Sequence, residues 1–205
     1  MHSLIPLSRC EASAAINRYQ SQITKLKEAI QTTAAAVAAD ASAGMVKYRA
    51  SAQWEGDVRC TARVRDFETM TIGEPAAFGG GDAAMSPADV VLVALGTCQE
   101  IMYAALASAM DIQLDECKVE VTADLDLKGL MGMDPDVPPG LLAMDYLVYL
   151  KSPASAEKLK ELVDVVERQC PLLDTLTRGI KVTGKVNIND QVEYTGAGSY
   201  LAQRA

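Results

Sequence analysis

The sequence predicts an α+β fold, and three patterns predict it. From Cys117 to Leu127 the chain alternates: Cys117, Val119, Val121, Ala123, Leu125 and Leu127 face one way, while Lys118, Glu120, Thr122, Asp124, Asp126 and Lys128 face the other. That is the period of a half-buried strand. A second alternating run, Met144, Tyr146, Val148 and Leu150, returns after "GLMGMDPDVPPG", so the two read as an antiparallel pair. Apolar residues spaced three or four apart flank the pair, before it up to about Met110 and after it through Leu159, Leu162, Val163, Val166 and Cys170. Helices separated by an antiparallel pair belong to an α+β fold and not to a doubly wound parallel sheet.

Taken in chain order, residues 12–41 contain no Gly or Pro and place Ile16, Tyr19, Ile23, Leu26 and Ile30 on one stripe, the pattern of an amphipathic helix that packs on the domain or on a second subunit. "ADASAG" breaks it before Met45. From Asp57 to Arg65, Val58, Cys60, Ala62 and Val64 alternate with Arg59, Thr61, Arg63 and Arg65, giving a strand with an arginine-rich face. "TIGEPAAFGGGDAAMSP" is dense in Gly and Pro and reads as an irregular connection. Ser86 is placed to cap the next helix, with Pro87 as its first residue and Asp89, three beyond the serine, completing a capping box. After the helix through Cys170, Pro171 ends it or opens a shorter one carrying Leu172, Leu173 and Leu176. Ile180, Val182, Gly184, Val186 and Ile188 then alternate as a closing strand. The expected organisation is an N-terminal helical extension over 1–44, a core domain over 45–190 and a tail over 191–205.

Composition narrows the function classes. Formal net charge is −8 and no Lys/Arg cluster interrupts the acidic background, so the electrostatic attraction to a phosphate backbone has the wrong sign and nucleic acid is not an expected partner. "MHSLIPLSRC" lacks the basic start and sustained apolar core of a secretory signal, and the longest unbroken apolar run, Val90 to Leu95, falls far short of the roughly 20 residues that cross a bilayer. The expectation is a cytoplasmic protein without a membrane partner. Thiols stay reduced in that compartment, so a close cysteine pair there is catalytic or metal-binding more readily than a permanent staple.

The only histidine is His2, which removes Ser-His-Asp and Cys-His sites. No CxxC occurs to start a zinc site, and "GGG" at 79–81 lacks the lysine and the spacing of a phosphate cradle. What remains is thiol chemistry. Of the five cysteines, Cys10, Cys60 and Cys117 read as incidental or core residues. Cys98 shares a helical stripe with Leu95, Ile101, Met102 and Ala105, and periodicity alone favours a core cysteine there. Cys170 also lies on an apolar stripe, yet it precedes Pro171, where it can cap the following helix and have its thiolate favoured by free backbone N–H groups. If both stripes face one core, the two thiols approach and form a redox pair. A reactive thiolate then needs a cation, since an unperturbed thiol of pKa about 8.5 is only a few per cent ionised at neutral pH. Arg59, Arg63 and Arg65 are the available source, although arginines alternating on a strand also make an ordinary solvated face.

"SPADVVLVALGTC" at 86–98, followed by "ERQCP" at 167–171, resembles the OsmC/Ohr family of thiol-dependent peroxidases, and the upstream "RVRDFETMTIGEPAAFGGGDAAMSP" resembles its OsmC-like branch. The likeness spans about Met45 to Ile188, leaving the N-terminal helix outside. It implies an OsmC-like fold in which an antiparallel sheet wraps two central helices, as an intertwined homodimer with active sites at the subunit interface. It also implies reduction of organic hydroperoxides or hydrogen peroxide, with Cys98 oxidised to a sulfenic acid, Cys170 resolving it as a disulfide, and an external dithiol restoring the pair. No metal or flavin is required.

One position departs from the hydroperoxide-resistance branch, which carries a glutamate two residues after the serine or asparagine of the helix start, where it orients the catalytic arginine. Here that position is Ala88. Asp89 is adjacent but lies nine residues before Cys98, a rotation of roughly 180° on a regular helix, so it is expected to cap and not to face the thiol. Arg63 is the chosen activating arginine over Arg59 and Arg65. A non-catalytic relative that binds an apolar small molecule in the interface cleft is the rival expectation.

Overall fold

The computed structural model describes residues 9–189 and 192–196, with side chains over 24–189. His2, Cys10, the stripe residues Ile16, Tyr19 and Ile23, and the end of the expected tail lie outside the described positions or side chains. Among the described residues, five α-helices and seven strands follow one another: α1 (Arg9–Ala39), β1 (Ser51–Gly56), β2 (Arg59–Arg63), β3 (Met70–Ile72), α2 (Pro87–Ala109), β4 (Glu116–Leu125), α3 (Leu127–Leu130), β5 (Leu141–Lys151), α4 (Ala156–Gln169), α5 (Pro171–Arg178), β6 (Gly184–Ile188) and β7 (Val192–Gly196). The architecture is α+β with antiparallel sheets.

The clearest sequence signal forms the longest ladder. β4 and β5 pair antiparallel from Glu116↔Lys151 to Leu125↔Leu141, and every inward residue of β4, from Cys117 to Leu125, is half-buried while its neighbours are exposed. The buried face lies on α2, whose Gly96 makes the approach possible: a Cβ there would meet Val121 Cγ2 at 3.3 Å. α4 packs on α2 beside this hairpin. Tyr103, Ala107, Ile112, Leu162 and Val166 form the core, with Cys117, Val148 and Leu150 against it.

Four boundaries differ from the sequence expectation. The arginine strand is only β2, because Gly56 (φ 107°) and Asp57 (φ 47°) turn the chain and return it as the second arm of a hairpin whose first arm, β1, was not foreseen. β3 lies at the start of the segment expected to be irregular; three residues, Met70–Ile72, are too few for periodicity to reveal, and pairing with β2 defines them. The strand from Cys117 stops at Leu125, where Asp126 accepts from Lys128 N and opens α3. The closing strand begins at Gly184 and not Ile180, and β7, within the expected 191–205 tail, pairs with it as a hairpin.

Glycine explains the "GGG" loop without a ligand. Gly79 adopts φ 81°, and a Cβ on Gly80 would fall 1.7 Å from the Glu74 carbonyl oxygen, so the loop folds tightly on itself before α2.

The described strands form three separate sheets within one chain, β1-β2-β3, β4-β5 and β6-β7. Two- and three-stranded sheets with open edges are marginal alone. α2 carries only Asp89 and Glu100 as charges, and by length and composition it could cross a membrane, contrary to the estimate from the unbroken run Val90 to Leu95. In this fold it is instead the helix against which α1, α4, α5 and β4 pack. Yet Ile101, near its middle, is 67% exposed.

Candidate functional site

The site is built on α2 and on the junction of α4 and α5. The α2 N-terminus is held by the capping box: Asp89 N donates to Ser86 Oγ at 3.2 Å, and Asp89 Oδ2 accepts from Ser86 N and Ser86 Oγ, each at 2.8 Å. The Ser86 backbone N–H, and then its hydroxyl, hold the Asp89 carboxyl below the usual aspartate range. Asp89 is therefore occupied at the helix start, and Ala88 offers no replacement for the branch's glutamate. From this anchored end the helix carries Cys98 to a half-buried position.

Cys170 is placed by a break in the helix. Pro171 has no N–H to continue α4 and begins α5, so Cys170 ends one helix and caps the next. Its N–H still donates to Val166 O at 2.8 Å, and its carbonyl accepts from Asp174 N at 3.0 Å. The side chain is fully buried. Burial pushes the Cys170 thiol up; the Leu173 N–H opposes this, Cys98 reinforces it, and the Leu172 N–H opposes it again. Seventy-two residues apart in sequence, the sulfurs of Cys170 and Cys98 lie 3.8 Å apart, with Cys170 S–H directed as donor to Cys98 Sγ.

Arg63 does not join them within one chain. It is exposed at the end of β2, opposite Ser51, and among the described residues no hydrogen bond or ion pair ties it to either cysteine. The β1–β3 sheet makes its principal described contacts within itself. Arg59 is likewise exposed, and Arg65 stacks over the Phe67 ring at 4.5 Å.

A cleft of about 330 Å³ is walled by neighbours of the two cysteines and not by the cysteines themselves. Leu95, one turn before Cys98, and Leu173, one turn after Cys170, line it together with Val91, Met144, Tyr146 and Leu176. Its wall is mostly apolar, with Tyr146 and Thr177 as its polar members.

Sequence reasoning did not single out the polar residues behind the dithiol. Tyr146 Oη donates to Glu167 and lies 2.6 Å from both carboxylate oxygens. Gln99, directly after Cys98, is fully buried, and among the described residues neither its amide oxygen nor its nitrogen has a hydrogen-bond partner of good geometry. It is nevertheless close enough to Tyr146 to draw that phenol's pKa down, against the stronger effects of burial and Glu167 that push it up to about 12. Tyr103, on the same face of α2, is also pushed to about 12, mainly by burial, then by the charge of Glu167. The available signal was Glu167 in "ERQCP", a charged residue one turn from a cysteine on an otherwise apolar stripe.

The family model described as OsmC-like protein matches residues 79–185, just over half of the chain and inclusive of both cysteine segments. Among solved structures, an OsmC-like protein from Mycoplasma pneumoniae is 24% identical, with 66% of this chain and 89% of that one covered at a TM-score of 0.56. An organic hydroperoxide resistance protein OsmC from Legionella pneumophila is 16% identical, with 65% and 90% covered at 0.52. An OsmC-like protein of unknown function from Vibrio cholerae is 10% identical, with 65% and 95% covered at 0.53. At these identities the likeness carries the fold. No curated protein matches the chain.

Proposed function

The chain belongs to the OsmC-like protein family, and from that footing we propose that it is a cysteine-based hydroperoxide reductase using Cys98 and Cys170. The observation that carries the proposal is the 3.8 Å separation of the two sulfurs; an apolar cleft lined by Leu95 and Leu173, one turn from each, supports it. The description of the Legionella relative as a hydroperoxide resistance protein supports the substrate class.

Cys98 is the attacking thiol, since it is only half-buried while Cys170, 3.8 Å away, is fully enclosed. Its sulfur bonds to the terminal peroxide oxygen as the O–O bond breaks, leaving Cys98 as a sulfenic acid and releasing an alcohol after proton uptake. Cys170 then attacks that sulfur, forming the disulfide and releasing water. An external dithiol reduces the disulfide by exchange. The alkyl part of the peroxide occupies the cleft between Leu95, Leu173 and Leu176.

The active unit is a homodimer in the cytoplasm. Open edges on three small sheets and the exposed Ile101 on α2 support this, because a second copy covers both at once. The activating guanidinium is Arg63 of the partner subunit, delivered by a β1–β3 sheet that has little packing in its own chain.

The test is turnover of cumene hydroperoxide with dithiothreitol. The parent is expected to consume peroxide and Cys98→Ser to fall to background; equal rates overturn the proposal. The apolar cleft and the alanine at position 88 favour one second reading, a non-catalytic binder of an apolar molecule. Binding of an apolar dye displaced by a fatty acid, without any peroxide consumption, selects it.

A further inference from the structure

Behind the dithiol lies a polar cluster, with Gln99 and Tyr103 buried and Tyr146 and Glu167 half-buried, that the peroxide chemistry above does not use. It draws on three elements: Gln99 and Tyr103 from α2, Tyr146 from β5 and Glu167 from α4. Glu167 precedes Cys170 by three residues, so the two project from neighbouring positions on one face of α4. Charge on either is felt at both Tyr103 and Tyr146. Two features call for explanation. A carboxylate is held behind the apolar stripe by a phenol at 2.6 Å, and a glutamine beside that phenol is buried with neither amide atom paired among the described residues, an arrangement that buried polar groups rarely adopt without a role.

Resolution of a sulfenic acid sets a requirement that these residues meet. Cys170 is buried and its thiol is pushed up, so it does not readily lose its proton to water. Resting on the peroxidase reading, we infer that Glu167, held in place by Tyr146, accepts the Cys170 proton when Cys170 attacks the sulfenic acid on Cys98, and that Gln99 receives the Tyr146 hydroxyl once Glu167 is protonated. The Cys170 S–H and Cys98 S–O bonds break, the S–S bond forms, and the departing hydroxide takes a proton from solvent to leave as water. Glu167 afterwards returns its proton to solvent. The sulfenic sulfur is reduced and the Cys170 sulfur oxidised by the same electron pair, so no further reagent enters. Protonated Glu167 donates to Tyr146 Oη, the phenol O–H turns away, and the unpaired Gln99 oxygen is the acceptor beside it. Tyr146 is a positioning residue, and its phenol stays protonated throughout the neutral range.

The titratable groups that interact with Glu167 are Tyr146 on β5 and Tyr103 on α2; Cys170 and Cys117 act on Tyr103 in turn, and Cys98 acts on Cys170. On α5, Asp174 is paired with Arg178 and exposed.

The experiment is single turnover of the full chain with one equivalent of cumene hydroperoxide, trapping the sulfenic acid with dimedone and counting disulfide by mass spectrometry across pH. In the parent, disulfide dominates and its rate of formation is level through the neutral range. In Glu167→Gln, which keeps the size and can still accept from Tyr146, the dimedone adduct accumulates. Its disulfide forms roughly 100-fold more slowly near neutrality and recovers as pH rises, a magnitude in the range of a lost general base. Tyr146→Phe shows the same shift to a smaller degree, with a melting curve confirming that it folds. If Glu167→Gln forms disulfide at the parent's rate with the parent's pH profile, the inference falls while the peroxidase reading stands. If the parent itself leaves both thiols free, both fall.

Discussion

Cys98 and Cys170 occupy opposite kinds of site. Cys98 stands in the middle of a regular helix, half-exposed, with the start of that helix three turns away and its capping carboxylate fully engaged by Ser86. Cys170 stands where one helix stops and another starts, fully buried, with two backbone amides near its sulfur. The helix end favours the thiolate of Cys170, but burial outweighs that effect and its pKa is raised. A capping position is therefore not enough to identify an attacking thiol. In the proposed chemistry it is access to solvent, which Cys98 has and Cys170 lacks, that separates the two roles.

Removing each sulfur in turn sharpens the contrast most. Cys98→Ala abolishes peroxide turnover, at least 100-fold, whereas Cys170→Ala still reacts once and carries a dimedone-reactive or over-oxidised Cys98 into the mass spectrum. Turnover at parental rate in Cys98→Ala would reverse the two roles. The next largest effect concerns the arginine absent from both surroundings. Arg63→Gln lowers turnover at least tenfold, and mixing it with Cys98→Ser subunits restores about a quarter of parental activity, because half of randomly mixed dimers pair the two and each has one intact site. Absence of restoration places Arg63 in its own chain's site or outside the chemistry.

Packing behind the two thiols also differs. Val166, fully buried one turn before Cys170, is expected to lose about 1–3 kcal/mol on Val166→Ala, while Val93→Ala, at an exposed position on the Cys98 helix, changes stability by under about 0.5 kcal/mol in urea unfolding. Loss of the helix cap that fixes Cys98, by Ser86→Ala, costs about 1 kcal/mol in the same measurement. The smallest expected effect is with alkali. Cys117 is raised by burial, then by Glu100, from 9.0 to about 11, so the folded state resists its ionisation. Its contribution to stability is complete below pH 9 and is lost as pH rises towards 11. The melting temperature of Cys117→Ala is expected to decline less steeply than the parent's over that window.

Much of this was open to inspection in the chain itself. The alternation from Cys117 to Leu125, the Ser86–Pro87–Asp89 helix start and the proline after Cys170 are local, because strand period, capping geometry and the missing N–H of proline act over a few neighbouring residues. They placed α2, β4, the α4–α5 break and both candidate cysteines. Tertiary structure decided what depends on residues far apart. It set the 3.8 Å between the sulfurs, the hairpin that cut the arginine strand to Arg59–Arg63, and the β6–β7 pair. It also brought Gln99, Tyr146 and Glu167 together behind the dithiol. A short strand or a buried polar contact has no period of its own; its free energy comes from a partner that only the folded chain supplies.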